Sequence, residues 1–155
     1  MVNSVTAAIN RRKLAVHITV HPVIRVRRDK RGKLLSVEPR DSSKGRNESL
    51  VRFAVDRESD PGRRRVLEKE IRKVLSDVRA AVRDFAEKEI QPFVEQYERE
   101  ARYPTDLIQK LVPLGYIAPM IPEEYGGSFV DVMTYGIICE ELARIDWVVA
   151  SVVSV

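Results

Sequence analysis

From Leu67 to Tyr97 the apolar residues recur by threes and fours, through Ile71, Val74, Leu75, Val78, Val82, Phe85, Ala86, Ile90, Phe93 and Val94. That period belongs to a helix with one buried stripe, and it predicts a single amphipathic helix over about thirty residues. Pro92 lies inside it and removes one backbone donor, which predicts a kink or break just upstream. The opposite side carries Glu68, Lys69, Arg72, Lys73, Arg79, Arg83 and Glu87, read here as a solvated face. A helix of this length cannot leave its stripe in water, so the second half of the chain is constrained to a bundle.

Three further helices supply partners. Tyr103-Pro104-Thr105-Asp106 starts one of about three turns, with Leu107, Ile108, Leu111, Val112 and Leu114 as its stripe and Gly115 as its stop. Tyr116–Ile121 is an apolar extended stretch, and the Pro122–Ser128 run is a turn whose paired Gly126 and Gly127 can take positive φ. Glu123 and Glu124 are adjacent carboxylates in that turn, but no pocket is predicted around them and no catalytic role is assigned. Asp131–Arg144 turns Met133, Ile137, Ile138 and Leu142 inward, and Asp146 caps Trp147–Val155, apolar on every side and so central to a bundle.

The first half changes period. Leu14–Arg27 alternates through Val16, Ile18 and Val20 and resumes after His21-Pro22 with Val23, Ile24 and Val26, which reads as a strand with Pro22 at an edge or a bulge. The polar run Arg28–Lys33 closes on Gly32 before Leu34, Leu35 and Val37, the layout of a hairpin. Glu38–Asn47 reads as turn, Glu48–Asp56 as a second strand burying Leu50 or Val51 with Phe53 and Val55, and Asp60-Pro61 as a helix start. The fold class is therefore α+β.

Charge divides the same way: residues 1–65 carry +10 and residues 66–155 carry −6. The arginines fall on hairpin tips and strand faces without interleaved aromatic residues, so nucleic acid is not the expected partner. His17 and His21 share a strand face without a third ligand, which argues against a metal. The single cysteine, Cys139, is expected to be a buried small residue, with no zinc site and a reducing compartment. The apolar run ending at Val155 is too short to span a bilayer and the N-terminus lacks a secretory core, so a cytoplasmic location is expected.

Two resemblances emerge from these residues. VHPVIRVRRDKRGKLLSV, ESLVRFAVDRESDP and LEKEIRKVLSDVRAAVRD resemble the N-terminal ACT-like region of the large NAD-dependent glutamate dehydrogenases, over about residues 5–84. That family's nicotinamide fold and catalytic lysine and aspartate find no counterpart here, and the first and last strands of an ACT sheet look missing. LGYIAPMIPEEYGG and YGIICEELARIDWVVASVVSV resemble the N-terminal helical domain of acyl-CoA dehydrogenases, over about residues 78–155. Both resemblances run through Ser76–Phe85, so a partial α/β segment at 1–65 and a truncated bundle at 101–155 share the helix at 66–100.

The second resemblance implies FAD-dependent α,β-dehydrogenation of an acyl-CoA thioester, with electrons passed to an electron-transferring flavoprotein. In that family the base and most of the FAD site lie on later domains, so this chain is expected to bind no flavin stably and to contribute no catalytic residue. By position Ala150, Ser151 and Ser154 would face the acyl chain, with Trp147 nearer the helix start; they serve equally well as packing residues. Glutaryl-CoA dehydrogenases place an arginine where this chain has Ala150, so a monocarboxylic acyl group is implied. An ACT-like small-molecule-binding module and a non-catalytic interaction protein are the alternatives, a homo-oligomer or a complementing chain the possible assemblies, and a marginal or aggregation-prone monomer the expected behaviour.

Overall fold

The computed structural model describes residues 4–154; Val155, the expected end of the last helix, lies outside the described residues, as does the start of the N-terminus. The chain divides into two compact units that do not follow sequence order. Residues 15–56 form a sheet unit, and the residues on either side of it together form a helical unit.

In the sheet unit, β1 (Val16–Val20) pairs antiparallel with β5 (Arg52–Val55), while β2 (Val23–Arg28) lies between β3 (Leu34–Glu38) and β4 (Arg46–Ser49). Val20 faces Arg52 and Val23 faces Ser49, so the register is unchanged across the gap between the two pairings. The Leu50 N–H donates to the Pro22 carbonyl at 3.0 Å within that gap. The expected strand and its partner are thus one long ribbon interrupted where Pro22 has no N–H to give, and the bulge sits at His17 instead. The expected turn over 38–47 is shorter, because β4 already begins at Arg46.

The hairpin tip forms as read. The Asp29 carboxylate accepts the N–H groups of Arg31 and Lys33, and Gly32 takes φ +82°. Glu48 on β4 accepts three hydrogen bonds from the Arg28 guanidinium and a fourth from Arg46, and Arg28 above all holds its carboxyl down at about 2. Val26 is the fully buried residue of this unit; Ile18, Val20, Val23, Leu34, Leu35, Val37 and Leu50 remain exposed.

In the helical unit, Asp60 caps α2 (Pro61–Phe85), its carboxylate accepting from Gly62 and Arg63, and Pro61 occupies the first turn. The long period does not give one helix. A π turn at Ala86–Ile90, in which the Gln91 N–H reaches the Ala86 carbonyl, and a tight turn at Gln91–Phe93 separate α2 from α3 (Val94–Glu100). The donor missing at Pro92 is absorbed by loosening the turn before it, so the apolar stripe continues through Ala86 and Ile90 into Tyr97.

Chain reversal follows at Ala101, left-handed at φ +48°. Helix α4 (Thr105–Leu111) has seven residues rather than three turns; Leu107 and Leu111 are buried, whereas Val112 and Leu114, beyond its end, are exposed. Helix α5 (Val132–Ala143) buries Thr134, Ile137, Ile138 and Leu142, with Met133 only half-buried, and packs against both α2 and α6 (Trp147–Val153). Cys139 is half-buried, and that burial pushes its thiol up.

One helix has no counterpart in the sequence reading. Residues Val5–Arg11, here α1, fold against α2, with the Ser4 hydroxyl accepting the Ala7 N–H. Because Ala101 has a Cβ in a left-handed conformation, Ala101→Gly is expected to stabilise the helical unit by about 0.5–1 kcal/mol, read by urea titration.

Candidate functional site

Two local devices shape the α5–α6 corner, and a third orders the turn ahead of α5. Asp146 caps α6, its carboxylate accepting the Val149 N–H at 2.7 Å, and its own N–H returns to the Leu142 carbonyl at 2.9 Å. Beyond that tight corner α6 packs against α5. The stripe of α6 at Val149, Ala150 and Val153 is consequently buried, while Trp147 stands 73% exposed. The helix is therefore two-faced among the described residues, not enclosed on every side.

The second device is a buried ion cluster. Glu141 is 1% exposed and receives Arg79 at 2.7 Å and Arg83 at 2.9 Å from α2, with Arg144 at 3.4 Å from its own helix end. Arg79 also reaches Glu140, and Arg144 reaches Glu87. The face read as solvated thus supplies Arg79 and Arg83 from α2, and Glu87 from the π turn after it, to the contact with α5 and its end. The sequence shows Arg79, Arg83 and Glu87 on one helix face at i, i+4 and i+8, but only the fold brings that face against Glu140 and Glu141.

Hydrogen bonds and proximity of the arginines, Arg83 first, hold the Glu141 carboxyl at about 2. A carboxyl depressed in the fold lends stability that is complete above its ordinary value of 4.5 and is lost as pH falls from there toward 2.

The third device is the Pro122–Ser128 turn. Glu123–Tyr125 makes a single tight turn, Gly126 adopts φ +86°, and the Pro122 carbonyl accepts the N–H groups of Tyr125 and Gly127. A Cβ on Gly127 would collide with the Ile121 carbonyl, which is why glycine stands there. Glu123 and Glu124 are both exposed, and only Glu123 borders a shallow depression, shared with Pro113 and Ser128.

The sequence-assigned residues separate on α6. Ala150 is turned into the core rather than toward the open side, because the α5-facing stripe passes through it. Ser151 is half-buried and Ser154 exposed, one and two turns beyond Trp147 on the open face. The Ser151 hydroxyl donates to the Val148 carbonyl at 2.7 Å and the Ser154 hydroxyl to the Ser151 carbonyl at 2.9 Å. The Tyr135 hydroxyl donates to the Ser154 carbonyl at 3.2 Å and steadies that helix end. With their protons engaged on the helix, the two serines offer a small polar wall rather than a proton donor.

A cleft of about 360 Å³ opens at the start of α6, walled by Tyr97, Tyr103, Leu107 and Trp147, with Arg102 stacked over the Tyr97 ring at 4.4 Å. None of Ala150, Ser151 and Ser154 lines it. In the sheet unit, His17 Nε2 lies 2.7 Å from the Asp56 carboxylate and His21 meets the Ser49 hydroxyl, so the two histidines are engaged separately. No metal-ligating group of three occurs among the described residues. No helix among them is long and apolar enough to cross a membrane.

Comparison with known proteins matches residues 73–155 to the family model "Acyl-CoA dehydrogenase, N-terminal domain" and residues 1–71 to "Glutamate dehydrogenase, ACT1 domain". The short-chain specific mitochondrial acyl-CoA dehydrogenase of Mus musculus is 42% identical over 67 residues, 43% of this chain and 16% of that protein. An acyl-CoA dehydrogenase of Bacillus subtilis is 40% identical over 78 residues, 50% of this chain and 21% of that protein. A solved chain from the electron transferring flavoprotein work on Acidaminococcus fermentans aligns at TM-score 0.47 and 31% identity, over 52% of this chain and 21% of that one. The chain spans about a fifth or less of the length of the curated relatives described here.

The three devices give two expectations. Glu141→Gln is expected to cost about 1–3 kcal/mol in urea unfolding at pH 7 and to flatten the loss of stability between pH 4.5 and pH 2. Gly127→Ala is expected to cost at least about 2 kcal/mol by the same measurement, because backbone cannot yield as a side chain would.

Proposed function

The chain belongs to the acyl-CoA dehydrogenase family through its residues 73–155, and from that premise we propose that its helical unit furnishes one wall of an acyl-CoA site. The reaction on this reading is FAD-dependent α,β-dehydrogenation of an acyl-CoA thioester, with an electron-transferring flavoprotein as the electron acceptor, in the cytoplasm. The observation that carries it is the open face of α6, where Trp147, Ser151 and Ser154 follow one another past the Asp146 cap.

The described residues do not fit a flavin by themselves. The buried side-chain oxygen left without a partner, Thr134 Oγ1, borders none of the clefts described, and the α6 serine protons are already engaged. On this proposal the base and most of the flavin contacts come from outside these 155 residues, by further sequence or a second polypeptide, and the chain alone is inactive.

Ala150 bears on substrate class. The position holds no cation, and its side chain is packed in the core, so nothing at this place on the helix pairs with a distal carboxylate. Trp147, Ser151 and Ser154 on the open face carry no cation either, so on this proposal the acyl group is monocarboxylic. Grafting Val66–Val155 onto a complete family enzyme tests both statements. The expected result is turnover of monocarboxylic acyl-CoA, and preferential turnover of glutaryl-CoA by the unaltered graft would refute it.

A second reading rests on the match of residues 1–71 to the ACT1 domain: a small-molecule-binding regulatory module. An amino-acid-dependent rise in melting temperature of the purified chain would favour it.

A further inference from the structure

The cleft at the start of α6 lies wholly within the helical unit, and its open edges are aromatic. Leu107 and Val149 are buried and supply the apolar part of its lining, while the Tyr97 ring, 7% exposed, closes one side. Tyr103 and Trp147 also line it but stand 58% and 73% exposed. Rings of that size are costly to leave in water, and here two of them border one opening.

The charged groups around the cleft are not equally engaged. The Arg102 guanidinium is used twice, over the Tyr97 ring at 4.4 Å and against the Glu100 carboxylate at 3.3 Å. Asp146 gives one carboxylate oxygen to the Val149 N–H at 2.7 Å, and its other oxygen has no partner among the described residues. The Glu98 carboxylate lines the cleft with neither a hydrogen bond nor an ion pair among the described residues. Arg102 and Glu100 offset one another, so the charge left over at the opening is negative, and Glu98 carries most of it because Asp146 is partly spent on its helix cap.

We propose that this cleft binds a small organic cation of the quaternary-ammonium class, its onium head lodged between the Trp147 and Tyr103 rings with Glu98 as counter-ion. The chemistry selects that class over others. An aromatic face attracts a cation through its quadrupole, tryptophan most strongly, and the attraction grows as the ion sheds its water. The Tyr97 ring already holds a cation in this way, the chain's own Arg102. A hard divalent metal ion takes about six or more oxygen ligands, whereas two carboxylates line the cleft and no metal-ligating group of three occurs among the described residues. An anion would meet Glu98 unpaired and find Arg102 already engaged. The volume of about 360 Å³ lies at the small end of ligand pockets, which run from about 300 to 1,000 Å³. Ala150, Ser151 and Ser154 do not line this cleft and only Trp147 is shared with the proposed acyl wall, so the cation site stands or falls independently of that reading.

Trp147 is the single tryptophan of the chain, so its fluorescence reports occupancy of the cleft directly. The full chain is titrated with choline chloride at constant ionic strength, beside the uncharged isostere in which a tert-butyl group replaces the trimethylammonium. The expected result is a saturable change with choline, half-complete in the millimolar range, and binding of the isostere weaker by at least about tenfold. Glu98 and Tyr103 are both exposed, so Glu98→Gln and Tyr103→Ala are expected to keep the urea midpoint of wild type. Each is expected to weaken choline binding by at least about fivefold. A linear response to choline that never saturates, equal binding of the isostere, or unchanged affinity in Glu98→Gln or Tyr103→Ala would overturn the proposal.

Discussion

A single buried carboxylate organises the helical unit. Glu141 sits at the contact of α2 and α5, where an unpaired charge would be prohibitive, and three guanidinium groups from two helices make it tolerable. The geometry fixes the rotation of α5 about its axis: only one face can present Glu141 to Arg79 and Arg83 while Ile137, Ile138 and Leu142 enter the core. That rotation in turn sets the Asp146 corner, and the corner sets which face of α6 stays open. The candidate acyl wall is downstream of one ion cluster.

Two prolines show how local chemistry modulates what the patterns specify. At Pro22 the lost donor interrupts a ribbon without changing its register, because the strands on both sides keep the same pairing. At Pro92 it is absorbed by a π turn that preserves the buried stripe. Both periods were legible in the sequence, since burial demands them whatever the backbone does locally. The breaks were legible only as sites of disturbance, because a missing N–H can be accommodated by a kink, a bulge or a gap, and neighbours elsewhere in the chain choose among these.

The less legible features depend on contacts distant in sequence. Ser4, Val5, Ala8 and Ile9 make a capped two-turn helix too short to announce itself by periodicity, and it is stable only against α2 and Asp131. Arg79 and Arg83 read as solvated because a charge on a helix face usually is, and their partner lies about sixty positions away. On α6 the residue types were readable but not their division: Ser151 and Ser154 reach the open side while Ala150 enters the core, a matter of where α5 lies.

A double-mutant cycle on Glu141 and Arg83 tests the organising role of the cluster most directly, with Glu141→Gln, Arg83→Gln and the pair compared by urea unfolding. The account predicts a coupling of about 1–3 kcal/mol, since the two groups are in direct contact and the carboxylate is buried. A coupling within about 0.3 kcal/mol of zero, the additivity of independent sites, would contradict it.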